Sequence, residues 1–143
     1  MPKHRAPLSI RLVSGSAAPR AARMAVRKAV TGADPRIVDQ AVLLTSELVT
    51  NAVLHGASPL RLELHVADDV LHVVIEDGDD HEPVPVPDTE AGPDGGFGLR
   101  IVERLADAWG TAPRDHGKAV WFRMSLHERD AAGNVVTTDL VRR

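Results

Sequence analysis

The stretch between Asp34 and Gly56 constrains this chain most, because its residues read as one long helix that must lie on a core. Asp34-Pro35 is a strong helix start: the acid can cap free backbone N–H groups, and a proline in the first turn loses no hydrogen bond. Gly56 supplies the stop. Between them Val38, Ala41, Val42, Thr45, Val49 and Ala52 recur at helical spacing and form a broad packing arc. Beside that arc Glu47, Asn51 and His55 follow one another at intervals of four, which aligns them in a polar stripe. A carboxylate can take a proton from an attacking hydroxyl, and a hard cation held by phosphates needs only one or two more oxygens from the protein. The stripe therefore suits a magnesium-nucleotide site. Taken alone, it suits a solvated helix edge better.

The rest of the chain reads as alternating strands and two further helices. Leu8 to Val13 alternates like an edge or half-buried strand, and Ala17 to Val30 carries Ala18, Ala22, Ala25, Val26 and Ala29 on one side of a helix. Leu60 to Val66 and Val70 to Glu76 are two strands joined through Asp68-Asp69, a two-residue turn of the kind hairpins favour. That register sets His65 opposite His72 and Glu63 opposite Val74 on a solvated face, with Leu62, Leu64, Leu71, Val73 and Ile75 turned inward. The segment from Gly78 to Gly96, with prolines at 83, 85, 87 and 93 and six acids, cannot pack as a helix or central strand. A loop of that length within a compact domain is most often a ligand gate. A third helix follows, with Ile101, Val102, Leu105, Ala106 and Trp109 on one side, and Ala119 to Leu126 forms a last strand. Beyond Arg129 no periodicity is evident.

Composition narrows the function without naming it. A length of 143 residues is typical of one domain, expected over 1–129 with a tail at 130–143. The formal net charge of -3 points to neither nucleic acid nor an anionic membrane as partner. The absence of cysteine removes zinc-thiolate sites, disulfides and a cysteine nucleophile. No apolar run approaches membrane-spanning length, and the start lacks the apolar segment of a signal peptide, so the expected location is cytoplasmic. Other phosphate-binding motifs fail on context: Gly117-Lys118 lacks a P-loop's upstream glycine, and the glycines near 92–98 follow a proline-rich loop where a dinucleotide-binding turn would follow a strand.

Glu47-x-x-x-Asn51, the acid Asp77 that ends Val73-Val-Ile-Glu-Asp77, and the turn Gly96-x-Gly98-Leu99 together resemble, in order and separation, the sequence boxes of the GHKL ATP-binding fold. The phrase Glu-Leu-Val-Thr-Asn-Ala-Val-x-His-Gly looks most like stand-alone anti-sigma-factor serine kinases of actinobacteria. The resemblance covers about Leu8 to Leu126. It implies an α/β (α+β) two-layer sandwich of Bergerat type, with a mixed, mostly antiparallel sheet, helices on one face and an ATP lid at about 78–98.

It further implies a general-base role for Glu47, a magnesium-ligand role for Asn51 and a place for His55 near the phosphates. Asp77 would accept a hydrogen bond from the adenine amino group, so that Asp77→Asn should mainly harm adenine recognition. Gly96, Gly98 and the Leu99 amide would cradle phosphate. ATP and Mg2+ are the implied cofactors, and a sigma factor and an antagonist protein phosphorylated on serine are the implied partners. A homodimer through the N-terminal strand is implied as well. Two positions depart from the family pattern. Asp79 stands where a glycine is usual, and Gly117-Lys118-Ala119 lacks the threonine that often supports the adenine contact. A non-catalytic ATP-binding module of the same fold is the alternative.

Overall fold

A computed structural model describes residues 7–13, 15, 17–57, 59–78 and 98–127. The element order is β1 (Leu8–Leu12), α1 (Ala17–Ala29), α2 (Pro35–His55), β2 (Leu60–Ala67), β3 (Val70–Asp77), α3 (Gly98–Leu105), β4 (Ala108–Arg114) and β5 (Gly117–Ser125). The strands form one five-stranded sheet in the order β1-β2-β3-β5-β4. All four described pairings are antiparallel, so the mixed sheet expected from the resemblance is antiparallel throughout its described strands. Helices α1 and α2 pack on each other and on the sheet, giving the expected two-layer α+β architecture.

Alternation along β2 and β3 decides which sheet face is covered. Leu60, Leu62, Leu64, Leu71, Val73 and Ile75 are buried, whereas Arg61, Glu63, His65, His72 and Glu76 look out from the opposite face. A one-residue slip would turn every leucine to water, at about 1.5–3 kcal/mol each, so burial locks this register. The hairpin turn is as expected: Asp68 (φ 54°) and Asp69 (φ 60°) both adopt the left-handed conformation that a tight two-residue turn needs. His65 pairs with His72 at 5.9 Å between ring centroids. Burial, with the charges of His65 and Arg123, pushes the His72 pKa below its ordinary value.

Helix α2 is the central support. Asp34 accepts a hydrogen bond from the Arg36 backbone N–H at 2.8 Å, and Pro35 opens the first turn, as the sequence predicts. The packing arc is wider than expected, since Leu44 and Leu48 are also fully enclosed. By length and apolar composition alone α2 could cross a membrane, which the sequence reading overlooked; here its apolar face is buried in the core. Within it, Thr45 Oγ1 is enclosed without a hydrogen-bond partner among the described residues. Because an unsatisfied buried hydroxyl costs about 1–3 kcal/mol, the similarly shaped Thr45→Val should stabilise the fold by about 1 kcal/mol in urea denaturation.

The third helix is shorter than its apolar pattern predicts. It ends at Leu105, and Trp109 lies in β4, a strand the sequence reading missed. After the last helical bond, from Ala106 N–H to the Val102 carbonyl, β5 captures the chain. Asp107 N–H donates to the Arg123 carbonyl, and the Asp107 carboxylate accepts from Ser125 N–H at 2.7 Å. Gly110 and Pro113 argue against a strand locally. They fit here because β4 is an edge and because a side chain at Gly110 would meet the Trp121 indole at 2.9 Å.

Candidate functional site

The end of α2 and the end of β3 meet at Gly56. A Cβ there would lie 2.7 Å from the Asp77 carboxyl carbon and 2.6 Å from the Ala52 carbonyl oxygen. Gly56 itself is extended (φ -94°), with its N–H bonded to Ala52. Glycine is therefore required here because the helix end presses on a carboxylate, and not for the left-handed turn that a helix-terminal glycine suggests. The next contact continues the junction, as Gly78 N–H donates to the Ala57 carbonyl at 2.6 Å.

This junction puts the polar stripe of α2 and the acid at the end of β3 on the helix-facing side of the sheet. His55 immediately precedes Gly56 and is exposed, while Asn51 and Glu47 lie one and two turns back and are half-buried. Partial burial raises the Glu47 carboxyl pKa above its ordinary value. A carboxylate so shifted is a stronger proton acceptor than one free in water, which the chemistry of a general base requires. Arg23 donates to Ser46 Oγ at 3.2 Å, tying α1 to α2 just before Glu47.

Asp77 is almost wholly enclosed, with 2% of its side chain exposed, and its Oδ1 lies 3.1 Å from the Lys118 Nζ. The two are direct partners across β3 and β5, so both point toward the helices. Sequence reasoning noted Lys118 only in the failed Gly117-Lys118 phosphate motif and in the stretch Gly117-Lys118-Ala119 that lacks the usual threonine. The signal that would have found the pair is strand register, which aligns Asp77 with Lys118 once Val73 is set against Phe122. Gly117 is fixed by the same crossing: a Cβ there would collide with the Asp77 carbonyl oxygen. Clefts of about 480 and 470 Å³ open at this end of the sheet, one lined by Asp77, Gly78 and Arg114, the other by Thr111 and Lys118. Glu47, Asn51 and His55 line neither.

Gly98 and Leu99 form the first turn of α3, where backbone N–H groups have no partner within the helix. Gly96, the expected lid apart from Gly78 and Gly98, and the tail at 130–143 lie outside the described residues.

Residues 14–124 match the model of the histidine kinase-like ATPase domain. The chain belongs to that family. As a histidine kinase-like ATPase domain it has the fold the GHKL boxes imply. It is similar to the RsbU and RsbW domains of Rv1364c from Mycobacterium tuberculosis, with 23% identity, a TM-score of 0.63, and coverage of 85% of this chain and 32% of that one. This domain thus spans about a third of that solved chain. A histidine kinase domain from a blue-light activated histidine kinase of Erythrobacter litoralis aligns with 21% identity and a TM-score of 0.49, over 77% of this chain and 60% of that one. No curated protein matches.

Proposed function

We propose that this ATPase domain binds Mg-ATP between α2 and the segment leading to Gly98, and phosphorylates a serine of an antagonist protein while alternately sequestering a sigma factor. The observation that carries the reading is the Gly56 junction, which brings the end of the helix that carries the polar stripe against the buried acid Asp77. The donor set fits the cofactor. Asn51 offers the single neutral oxygen that a phosphate-bound magnesium ion needs, and Asp77 offers an acceptor to an amino group. Gly96, Gly98 and the Leu99 amide would hold phosphate by backbone N–H groups, with His55 near them. The bound nucleotide supplies the group transferred. Glu47 takes and holds the proton that the attacking serine hydroxyl gives up.

The family membership and the RsbW-containing neighbour support a kinase-type regulatory role. We place the domain in the cytoplasm and read its residues 1–129 as one unit. The outer edge of β1 would pair with a second copy, since β1 is an edge strand bonded to β2. A second reading, a binding module without catalysis, is favoured by one observation: the Asp77 carboxylate already holds an ammonium.

Nucleotide binding is tested by thermal unfolding. Mg-ATP at a hundred times its dissociation constant should add about 2.7 kcal/mol, and GTP far less. Equal shifts for both nucleotides, or none at millimolar concentration, would refute the adenine site. Light scattering on the same sample should give twice the chain mass, and a monomer at high concentration would remove the dimer.

A further inference from the structure

A second concentration of charge lies on the sheet face that the helices leave open, away from Glu47 and its stripe. Across β1 and β2 Arg11 stands directly opposite Arg61, and both residues are exposed. Like charges so placed repel each other. The acid that could relieve them is engaged elsewhere: Glu76, opposite Arg61 on β3, sits 3.0 Å from the Arg114 Nε. Arg61 donates from Nη1 to Ser9 Oγ at 3.1 Å, and among the described residues neither Arg61 nor Arg11 has an ion pair. The cleft of about 480 Å³ at this end of the sheet opens onto these groups, and Arg11, Arg61, Arg114 and His116 line it. Asp115, exposed in the turn between β4 and β5, also lines it, which sets two cations without a counter-ion against one acid.

We propose that this cleft binds a phosphomonoester, with Arg11 and Arg61 gripping the phosphate and the remaining volume taking the group esterified to it. The site lies on the opposite sheet face from α2 and is independent of the ATP-binding reading. A guanidinium is a planar fork of N–H donors that matches paired oxygens. One such fork occupies both oxygens of a carboxylate, so a second arginine beside it would be left over. A phosphomonoester has three terminal oxygens and a charge of about −1.5 to −2 near neutral pH, which two forks on neighbouring strands can share. An anion between Arg11 and Arg61 also turns their mutual repulsion into a common attraction. Size points the same way, because the cleft is larger than phosphate alone requires and falls within the range of small-molecule sites, about 300–1,000 Å³. Arg114 is braced from two sides, by Glu76 and by its own bond to the Pro113 carbonyl, and forms a wall of the cleft beside His116.

The decisive measurement is a heteronuclear NMR titration of the full chain with glycerol phosphate, with the amide of N-acetyl-O-phosphoserine, and with acetate. Both monoesters should shift amides of β1, β2 and the turn between β4 and β5, and the tighter of the two tells whether the phosphate arrives on a small metabolite or on a peptide. Acetate should bind at least about ten-fold more weakly, having one fork's worth of oxygens and half the charge. Arg11→Gln/Arg61→Gln should weaken the monoesters by about ten-fold or more, as expected for losing hydrogen bonds between charged groups. Glu76→Gln should tighten them by about three-fold, because it removes a negative charge from the cleft wall. Four outcomes overturn the proposal: no shifts at millimolar monoester, acetate binding as tightly as either monoester, shifts centred on the first turn of α3, or arginine variants that bind like wild type. The shift map of the wild type decides the location without any variant, so a variant that fails to fold does not protect the idea.

Discussion

Glu47→Ala should lower phosphoryl transfer to an antagonist serine by about 10²–10⁴-fold while leaving the domain folded and able to bind ATP. The substitution removes the proton acceptor and touches neither Asp77 nor the first turn of α3. Stability should not suffer through ionisation. Burial raises the folded-state pKa of Glu47 above the ordinary value of 4.5, so its favourable linkage is present below that value and lost as pH rises through the folded pKa. At neutral pH the ionised carboxylate is a small liability that alanine removes. The same shift predicts that wild-type transfer declines on acidification sooner than an exposed glutamate would require, and that this decline is absent from the residual activity of Glu47→Ala. Asn51→Ala differs in kind, because losing a metal oxygen should weaken Mg-ATP binding together with transfer. Radiolabelled phosphate transfer read beside calorimetric binding separates the two. Transfer by Glu47→Ala at the wild-type rate would end the kinase reading in favour of the binding module.

Asp77→Ala should cost about 3–5 kcal/mol of stability in urea denaturation and abolish ATP binding, since it leaves Lys118 enclosed without its carboxylate. For Asp77→Asn the ion pair adds a loss of stability to the harm expected in base recognition. An amide cannot balance the ammonium, so the fold is weakened as well. Lys118→Met should cost a similar amount by removing the ammonium paired with the Asp77 carboxylate. The double variant Asp77→Leu/Lys118→Met should recover most of the loss, because apolar side chains of similar size often replace a buried ion pair without penalty. It should still fail to bind ATP. Additive losses in the double variant would show that the two charges do not compensate one another.

The local structure was legible wherever short-range chemistry decides it. Asp34-Pro35 capped a helix, Asp68-Asp69 made a tight turn, and the alternation from Leu60 to Glu76 placed the leucines inward, because backbone hydrogen bonding and burial act over a few residues. The order and spacing of Glu47, Asn51 and Asp77 likewise marked a histidine kinase-like ATPase domain before any coordinates. What remained hidden depended on residues far apart in the chain. Trp109 continues the apolar period of α3, yet β5 offers the backbone after Leu105 a ladder of hydrogen bonds that a further helical turn could not match. Gly56 read as a helix stop, and only the approach of Asp77 makes any Cβ there a collision. The ion pair between Asp77 and Lys118 spans 41 positions and exists because β3 and β5 pair in one register. Sequence by itself determined most of the elements and the chemical inventory of this protein; tertiary structure alone decided where α3 gives way to β4 and which charges face each other, since strand register and helix approach are set by burying the whole core at once.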